Sequence, residues 1–396
     1  MIQRACIQRV NALAKQFPAV AVLGMRQVGK TTLARQAFPD AAYVDLEKPE
    51  TRRKFLEDTS FAIAEAESAA AKTKGKGGGA VIFDEAQLVP PLFEALRGVI
   101  DSGRERRGRF ILLGSAQPAL IRSIAETLAG RVGTVELEPL MAGEIRPEAP
   151  PEAMPRLWLH GGMPDAFNGN FREWWATYIS TFVERDLARF GLQTDPLLLR
   201  RLLVLLAHQQ GGLLNHSDLA RIGNVSVHTI QRYLDLLEGT FLIRRLQPYF
   251  ANVGKRLVKA PRCYLRDTGM LHHLLNLNTM QDVRSHPVAG ASWETFVLEE
   301  IQRRTHLADP FASFFFWRTS DGHEADLLIE RGGRPDTLVE VKLGGGADTK
   351  AAAKLAGIAR QLNARRACIV SQQNGSEMLN PDVERIGPGE LLSREW

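Results

Sequence analysis

A chain of 396 residues is too long for one small module, and at roughly 100–200 residues per domain it should hold two or three. With 44% apolar and 24% charged residues, it is neither wholly disordered, nor fibrous, nor a polytopic membrane protein. Its 50 Lys and Arg against 45 Asp and Glu leave a net +5, which permits a nucleic-acid partner without requiring one.

In chain order, the start MIQRACIQRVNALAKQF reads as a helix over Ile2–Gln16 and lacks the apolar core of a signal peptide. The expectation is a cytoplasmic protein without a membrane partner, since no run approaches the length of a spanning helix. Cys6, Cys263 and Cys368 lie far apart, which supports neither a disulfide framework nor a thiolate zinc site. Strands follow at Ala19–Leu23, Ala41–Leu46, Ala80–Phe83, Phe110–Gly114 and Arg131–Leu137, with a helix opening at Lys30. Short apolar runs separated by amphipathic stretches predict an α/β unit with a largely parallel sheet. KTKGKGGG at Lys72–Gly79 reads as a basic surface loop. The proline-rich RPEAPPEAMPR, Arg146–Arg156, disfavours regular structure and marks a domain boundary near Pro150. Beyond it the chain becomes helical, with Trp174, Tyr178 and Phe182 on one face. A third, α/β unit begins near Pro287, with a helix Ser292–Arg304 and strands Phe314–Arg318, Ala325–Glu330 and Leu338–Leu343. The division is therefore 1–150, 151–286 and 287–396.

Gly24–Thr31, GMRQVGKT, fits G-x-x-x-x-G-K-[ST] directly after a strand and at the start of a helix. The backbone of Gly24, Met25, Arg26, Gln27, Val28 and Gly29, with Lys30, Thr31 and Thr32, would cradle the phosphates of ATP, and the Thr31 hydroxyl would ligate Mg²⁺. AVIFDEAQ, Ala80–Gln87, is an apolar strand ending in two acids, expected to lie beside the P-loop strand. There Asp84 would hold Mg²⁺ through water and Glu85 would polarise the attacking water. Ser115, ending the next strand, is placed to sense the γ-phosphate. Arg26 and Arg131 are candidates for countering its charge, in cis or from a neighbouring subunit, and each reads equally as a surface ion pair.

At this point the sequence resembles a family of AAA-type P-loop ATPases of bacteria and archaea that carry a poorly characterised C-terminal domain. The resemblance rests on GMRQVGKTTL, VIFDEAQLVPPLF, ILLGSAQ, LAGRV, HGGMPDAF, YISTFVERDL, RDTGM, WETFV, EADLLIE and LVEVKLG, and so covers nearly the whole chain. Two positions depart from the family pattern: Met25 stands where proline is common, and Arg266 where an aromatic is common. The resemblance implies an AAA-like sheet, a helical connector with a winged-helix-like part, and a C-terminal α/β fold like that of restriction endonucleases.

Within Gly211–Tyr249 a short helix, a Gly223-Asn224 turn and a second helix capped by Ser226 read as a helix-turn-helix with a wing. His228, Thr229, Gln231 and Arg232 would face DNA or RNA from the second helix and Arg244 and Arg245 from the wing, or the same surface would serve a protein partner. Lys255, Arg256, Lys259 and Arg262 form a basic segment that reads equally as a solvated run. The nuclease-like pattern is Glu294, Asp326, then Glu340 and Lys342, with Asp326 ending a polar turn. Glu340 and Lys342 share one strand face, where acids could hold Mg²⁺ and the lysine position a hydroxide. The contrary reading is a retired nuclease fold, or a strand with a surface ion pair. ATP-driven homo-oligomerisation is a further expectation of the AAA resemblance.

Overall fold

Five short apolar segments pair side by side as β1 (Ala19–Gly24), β2 (Ala42–Asp45), β3 (Val81–Asp84), β4 (Phe110–Ser115) and β5 (Val132–Glu136). The structure, a computed structural model, describes residues 2–73, 79–115, 124, 126–145, 150–183, 195–250, 259–320, 322–344 and 349–396. It divides into two units, Met1–Pro139 with Gly239–Phe241, and Leu140–Glu238 with Leu242–Trp396.

In the first unit all pairings are parallel and the order is β2-β3-β4-β1-β5. This corrects the expectation that the strand ending in Asp84 lies beside the P-loop strand, because β4 runs between them. β3 is as fully buried as β4, so burial alone does not say which of the two lies beside β1. Every residue of β1 is buried, as are Phe110–Gly114 of β4, which suits the sheet centre, whereas β2 is half-exposed and takes the edge. Phe83 of β3 packs between Phe55 and Phe110, with ring centroids 5.7 and 6.1 Å away. Because the strands are parallel, their carboxyl ends fall on one edge, the usual place for ligands in open α/β sheets. Gly24 and Ser115 are register partners there.

In the second unit the helix-turn-helix forms as read, with helices His216–Gly223 and Val227–Gly239 separated by Asn224 at φ 51°. Strands β6 (Ile243–Pro248), β7 (Arg262–Leu265), β8 (Ser313–Arg318), β9 (Glu324–Arg331), β10 (Arg334–Val341), β11 (Arg366–Val370), β12 (Glu377–Asn380) and β13 (Val383–Ile386) follow. They join in one mixed sheet, β12-β13-β11-β10-β9-β8-β6-β7. The strand read as the wing, β6, is paired on both edges, to β7 and to β8. A helix Pro150–His160 replaces the irregular segment expected there. Pro150 and Pro151 fall in its first turn, where a missing N–H costs nothing, and only Pro155 interrupts the ladder. The long helix Ala289–Ala308 carries Trp293, fully buried and edge-on to Trp158 at 5.2 Å.

Residues 74–78, 116–123, 146–149, 184–194 and 251–258 lie outside the described residues. They include most of the basic loop, Gln117, the ERDL segment, Lys255 and Arg256. Among the described residues no helix is long and apolar enough to cross a membrane. Cys6, Cys263 and Cys368 are all buried thiols, and burial pushes those of Cys263 and Cys368 up to about 12.

Candidate functional site

The chain leaves β1 at Gly24 and re-enters order in the helix Lys30–Ala37. Gly24 is required by a close approach: a Cβ there would lie 2.3 Å from the Leu137 carbonyl oxygen. Gly29, at φ 102°, turns the loop into the helix in a conformation that other residues avoid. Gln27 also takes a left-handed conformation, φ 62°. Arg4, only 6% exposed, braces the loop from outside, Nη1 donating to the Val28 carbonyl at 3.1 Å and Nη2 to that of Glu138 at 2.5 Å.

Lys30 is buried, and its Nζ donates to the carbonyls of Gly24 at 3.1 Å and Met25 at 2.8 Å. Burial lowers its pKa against the opposing pull of Glu85 and Asp84. A buried ammonium whose hydrogen bonds go to neutral carbonyls is suited to an anionic group. Thr31 Oγ1 donates to Asp84 Oδ2 at 2.6 Å, so two hard oxygen donors converge although β4 separates β3 from the strand that leads into the P-loop. Thr31 and Asp84 therefore fit a Mg²⁺ ion. Tyr43 Oη donates to the same Asp84 oxygen at 2.7 Å. Burial and the Asp84 bond raise the Tyr43 pKa, and Arg35 lies 4.2 Å from its ring centroid.

Glu85 follows in a left-handed conformation, φ 54°, which swings the chain out of β3 into the short turn Ala86–Leu88. Its carboxylate accepts from Ser115 Oγ at 3.0 Å and from Gln87 Nε2. The structure thus brings Lys30, Thr31, Asp84, Glu85 and Ser115 to one edge of the sheet. It does not bring Arg131 there. Arg131 precedes β5 at the amino end of β1, where its carbonyl accepts from Ala19 N, and its guanidinium is bidentate on Asp101 at 2.7 and 2.8 Å. Arg26 pairs with Glu47 at 3.3 Å. Sequence reasoning missed Tyr43, Arg4 and Gln87. Only Gln87, two residues beyond Glu85, carried a local signal.

In the second unit Glu294 and Asp326 do gather, with Glu324, around an arginine, while Glu340 pairs with Lys342. Arg262 Nη1 donates to Asp326 Oδ1 at 3.1 Å and Glu294 Oε1 at 3.4 Å, and Nη2 donates to Glu324 Oε2 at 3.0 Å. Arg262 is 6% exposed, not part of a solvated basic run. Although burial opposes its charge, Tyr264, Glu294 and Asp326 raise its pKa further. Asp326 lies within β9 and not in a turn, and its Oδ2 accepts from Val341 N at 2.9 Å. Glu340 accepts from Lys342 Nζ at 2.6 Å, although β10 ends at Val341, one residue before the lysine. Burial and Asp326 push Glu294 up to about 8, and the same causes push Glu340 up to about 7. Among the described residues no group of three or more His, Cys, Asp or Glu is placed to hold a metal ion. These residues, as arranged, do not fit Mg²⁺.

The expected nucleic-acid face divides in the same way. His228, Gln231 and Arg232 are exposed and Thr229 is half-buried. Arg244 and Arg245 are not presented to phosphates: Arg244 is bidentate on buried Glu299 at 2.6 and 3.1 Å, and Arg245 is held by Glu238 and Asp235. Arg266 also reaches Glu299, at 3.5 Å.

Residues 16–146 match the AAA domain family, 151–281 a domain of unknown function (DUF8612), and 289–386 a domain of unknown function (DUF4143). The uncharacterized proteins Mb2031c of Mycobacterium bovis and Rv2008c of Mycobacterium tuberculosis are each 38% identical over 340 residues, 84% of this chain and 72% of theirs. Among solved structures, the Walker-type ATPase paby2304 of Pyrococcus abyssi is 16% identical with a TM-score of 0.46, over 68% of this chain and 94% of that one. The Aeropyrum pernix ORC1 protein in complex with DNA is 15% identical with a TM-score of 0.31, over 70% and 93%. Both likenesses are too remote to carry an argument. The AAA match together with the P-loop geometry makes the first unit an AAA-type P-loop ATPase domain, whose ligand is ATP.

Proposed function

The chain belongs to the family of the mycobacterial proteins Mb2031c and Rv2008c, and from that premise we propose that it is a Mg²⁺-dependent ATPase whose nucleotide cycle drives a nucleic-acid-handling C-terminal module. The observation that carries the ATPase half is the 2.6 Å bond from Thr31 to Asp84, since it joins a P-loop hydroxyl to an acid two strands away. Lys30 and the loop amides hold the phosphates, and Thr31 and Asp84 hold Mg²⁺, which supplies charge neutralisation at the phosphoryl oxygens when bound. Glu85 orients and polarises the attacking water, and Ser115 positions Glu85. A counter-charge comes from Arg26 in cis or, in a homo-oligomer, from Arg131 of a neighbour.

In this reading the helical part, 151–286, and the nuclease-like part, 287–396, work as one body, supported by β6 and β7 completing the C-terminal sheet. The exposed His228, Gln231 and Arg232 support nucleic-acid contact. A second reading, an ATPase switch that binds protein partners through a catalytically inactive nuclease-like module, is favoured by one observation: Arg262 lies among the carboxylates. ATP turnover measured with and without duplex and single-stranded DNA at several salt concentrations separates the two. The first reading expects stimulation that falls steeply with salt, as neutralised phosphates release counterions. Turnover indifferent to both nucleic acids favours the second.

A further inference from the structure

Two carboxylates of the nuclease-like pattern, Glu294 and Asp326, are neutralised by a cation that the chain itself supplies. Arg262 opens β7, with a side chain 7% exposed and a guanidinium that reaches Asp326 of β9, Glu294 of the helix Ala289–Ala308 and Glu324 of β9. Phe316 lies under it, 5.1 Å from ring centroid to guanidinium carbon. Tyr264, on the same face of β7, donates to Glu294 Oε1 at 2.6 Å, and Val341 N donates to Asp326 Oδ2. The donors of Arg262, Tyr264 and Val341 thus engage the oxygens that a divalent ion would need. A planar guanidinium suits this place better than an ammonium, because its fork spans carboxylates from separate elements at fixed angles.

We propose that Arg262 is the resident cation of this cluster: with its guanidinium in place Glu294 and Asp326 bind no divalent ion, and its removal converts the cluster into a divalent-cation site. The inference deepens the nuclease-like reading above and rests on it for the choice of residues. Removing the guanidinium leaves three carboxylates facing one another without their principal counter-charge, an arrangement that must recruit a cation or protons.

The test is Mn²⁺ titration of the nucleotide-free full chain, followed by electron paramagnetic resonance. The proteins are wild type, Arg262→Met and Arg262→Ala, each with and without Asp326→Ala. Wild type is expected to show no Mn²⁺ binding that depends on Asp326. Arg262→Met should gain such a site, at least about tenfold tighter than any wild-type background, and Mn²⁺ should raise its melting temperature. An Asp326-dependent site in wild type overturns the proposal, and so does a folded Arg262 variant that gains none. Should both replacements fail to fold, the wild-type comparison with Asp326→Ala still decides whether the intact cluster takes metal. Oligonucleotide added to the same samples keeps the two readings apart. Metal binding without cleavage in Arg262→Met leaves the inference standing and removes the nuclease reading. Asp326-dependent metal and cleavage in wild type removes the inference and keeps the nuclease.

Discussion

Two hydroxyls converge on one oxygen of Asp84, from Thr31 at 2.6 Å and Tyr43 at 2.7 Å. Tyr43 stands on the edge strand β2, so it acts through Asp84 as a positioning residue. Removing its hydroxyl while keeping the ring deletes one hydrogen bond to a charged acceptor, about 1.5 kcal/mol, which corresponds to a roughly tenfold change in rate. Tyr43→Phe should therefore lower ATP turnover about tenfold while nucleotide affinity stays near wild type. An unchanged turnover number would make the contact incidental. The P-loop residues, Asp84, Glu85 and Ser115 were legible in the sequence because each sits at the end of an apolar run, where strand and chemistry are written in adjacent residues. Tyr43 was not, since its reach to Asp84 depends on which strands become neighbours. Arg262 was misread for a related reason: a basic run looks solvated until its counter-charges arrive from β9 and a distant helix.

At the level of elements, HGGMPDAF and RDTGM prove to be two halves of one joint. The Asp267 carboxylate caps the helix Thr268–Leu274 through Gly269 N at 2.8 Å and also accepts from Gly162 N at 2.8 Å. A Cβ on Gly161 would fall 1.8 Å from Asp267 Oδ1, and one on Gly269 1.9 Å from the His160 carbonyl oxygen. His272 closes the joint. Its Nδ1 donates to the Leu159 carbonyl at 2.9 Å, and its Nε2 accepts from Ser292, whose oxygen also accepts from Trp158 Nε1 at 2.9 Å. This arrangement satisfies a neutral imidazole completely, and burial lowers the His272 pKa to about 4. An unfolded histidine takes its proton near 6.5, so between those values the unfolded chain binds more protons and stability rises with pH. The contribution, about 3 kcal/mol, is fully present above pH 6.5 and is lost as pH falls towards 4. Glu294 and Glu340, raised to about 8 and 7, oppose this slope above pH 4.5. The comparison must therefore be with His272→Gln, whose denaturant-derived stability should rise less between pH 4.5 and 6.5 than that of wild type. Parallel slopes would mean that His272 does not titrate in this range. The sequence displayed these motifs without their purpose, because glycines that admit a distant backbone look the same as glycines of a loop.

For the molecule as a whole, the α/β character of the first unit and the strands of the C-terminal part could be read from short apolar runs and their punctuation. Strand order could not, since β3 and β4 are equally buried apolar runs and neither carries a mark of which lies beside β1. Nor could the membership of β6 and β7 in the C-terminal sheet, which joins segments on either side of residue 286. The central claim is that the edge formed by the P-loop, Asp84, Glu85 and Ser115 binds and hydrolyses ATP. Its most direct test is to measure, on one set of full-length proteins, equilibrium ATP binding and steady-state phosphate release for wild type, Lys30→Ala and Glu85→Gln. Lys30→Ala should lose binding and turnover together, because it removes the ammonium that holds the phosphates. Glu85→Gln should keep wild-type affinity and lose turnover by about 100-fold or more, since only the water-polarising carboxylate is gone. Glu85→Gln hydrolysing ATP at the wild-type rate, or Lys30→Ala binding ATP as tightly as wild type, would contradict the assignment.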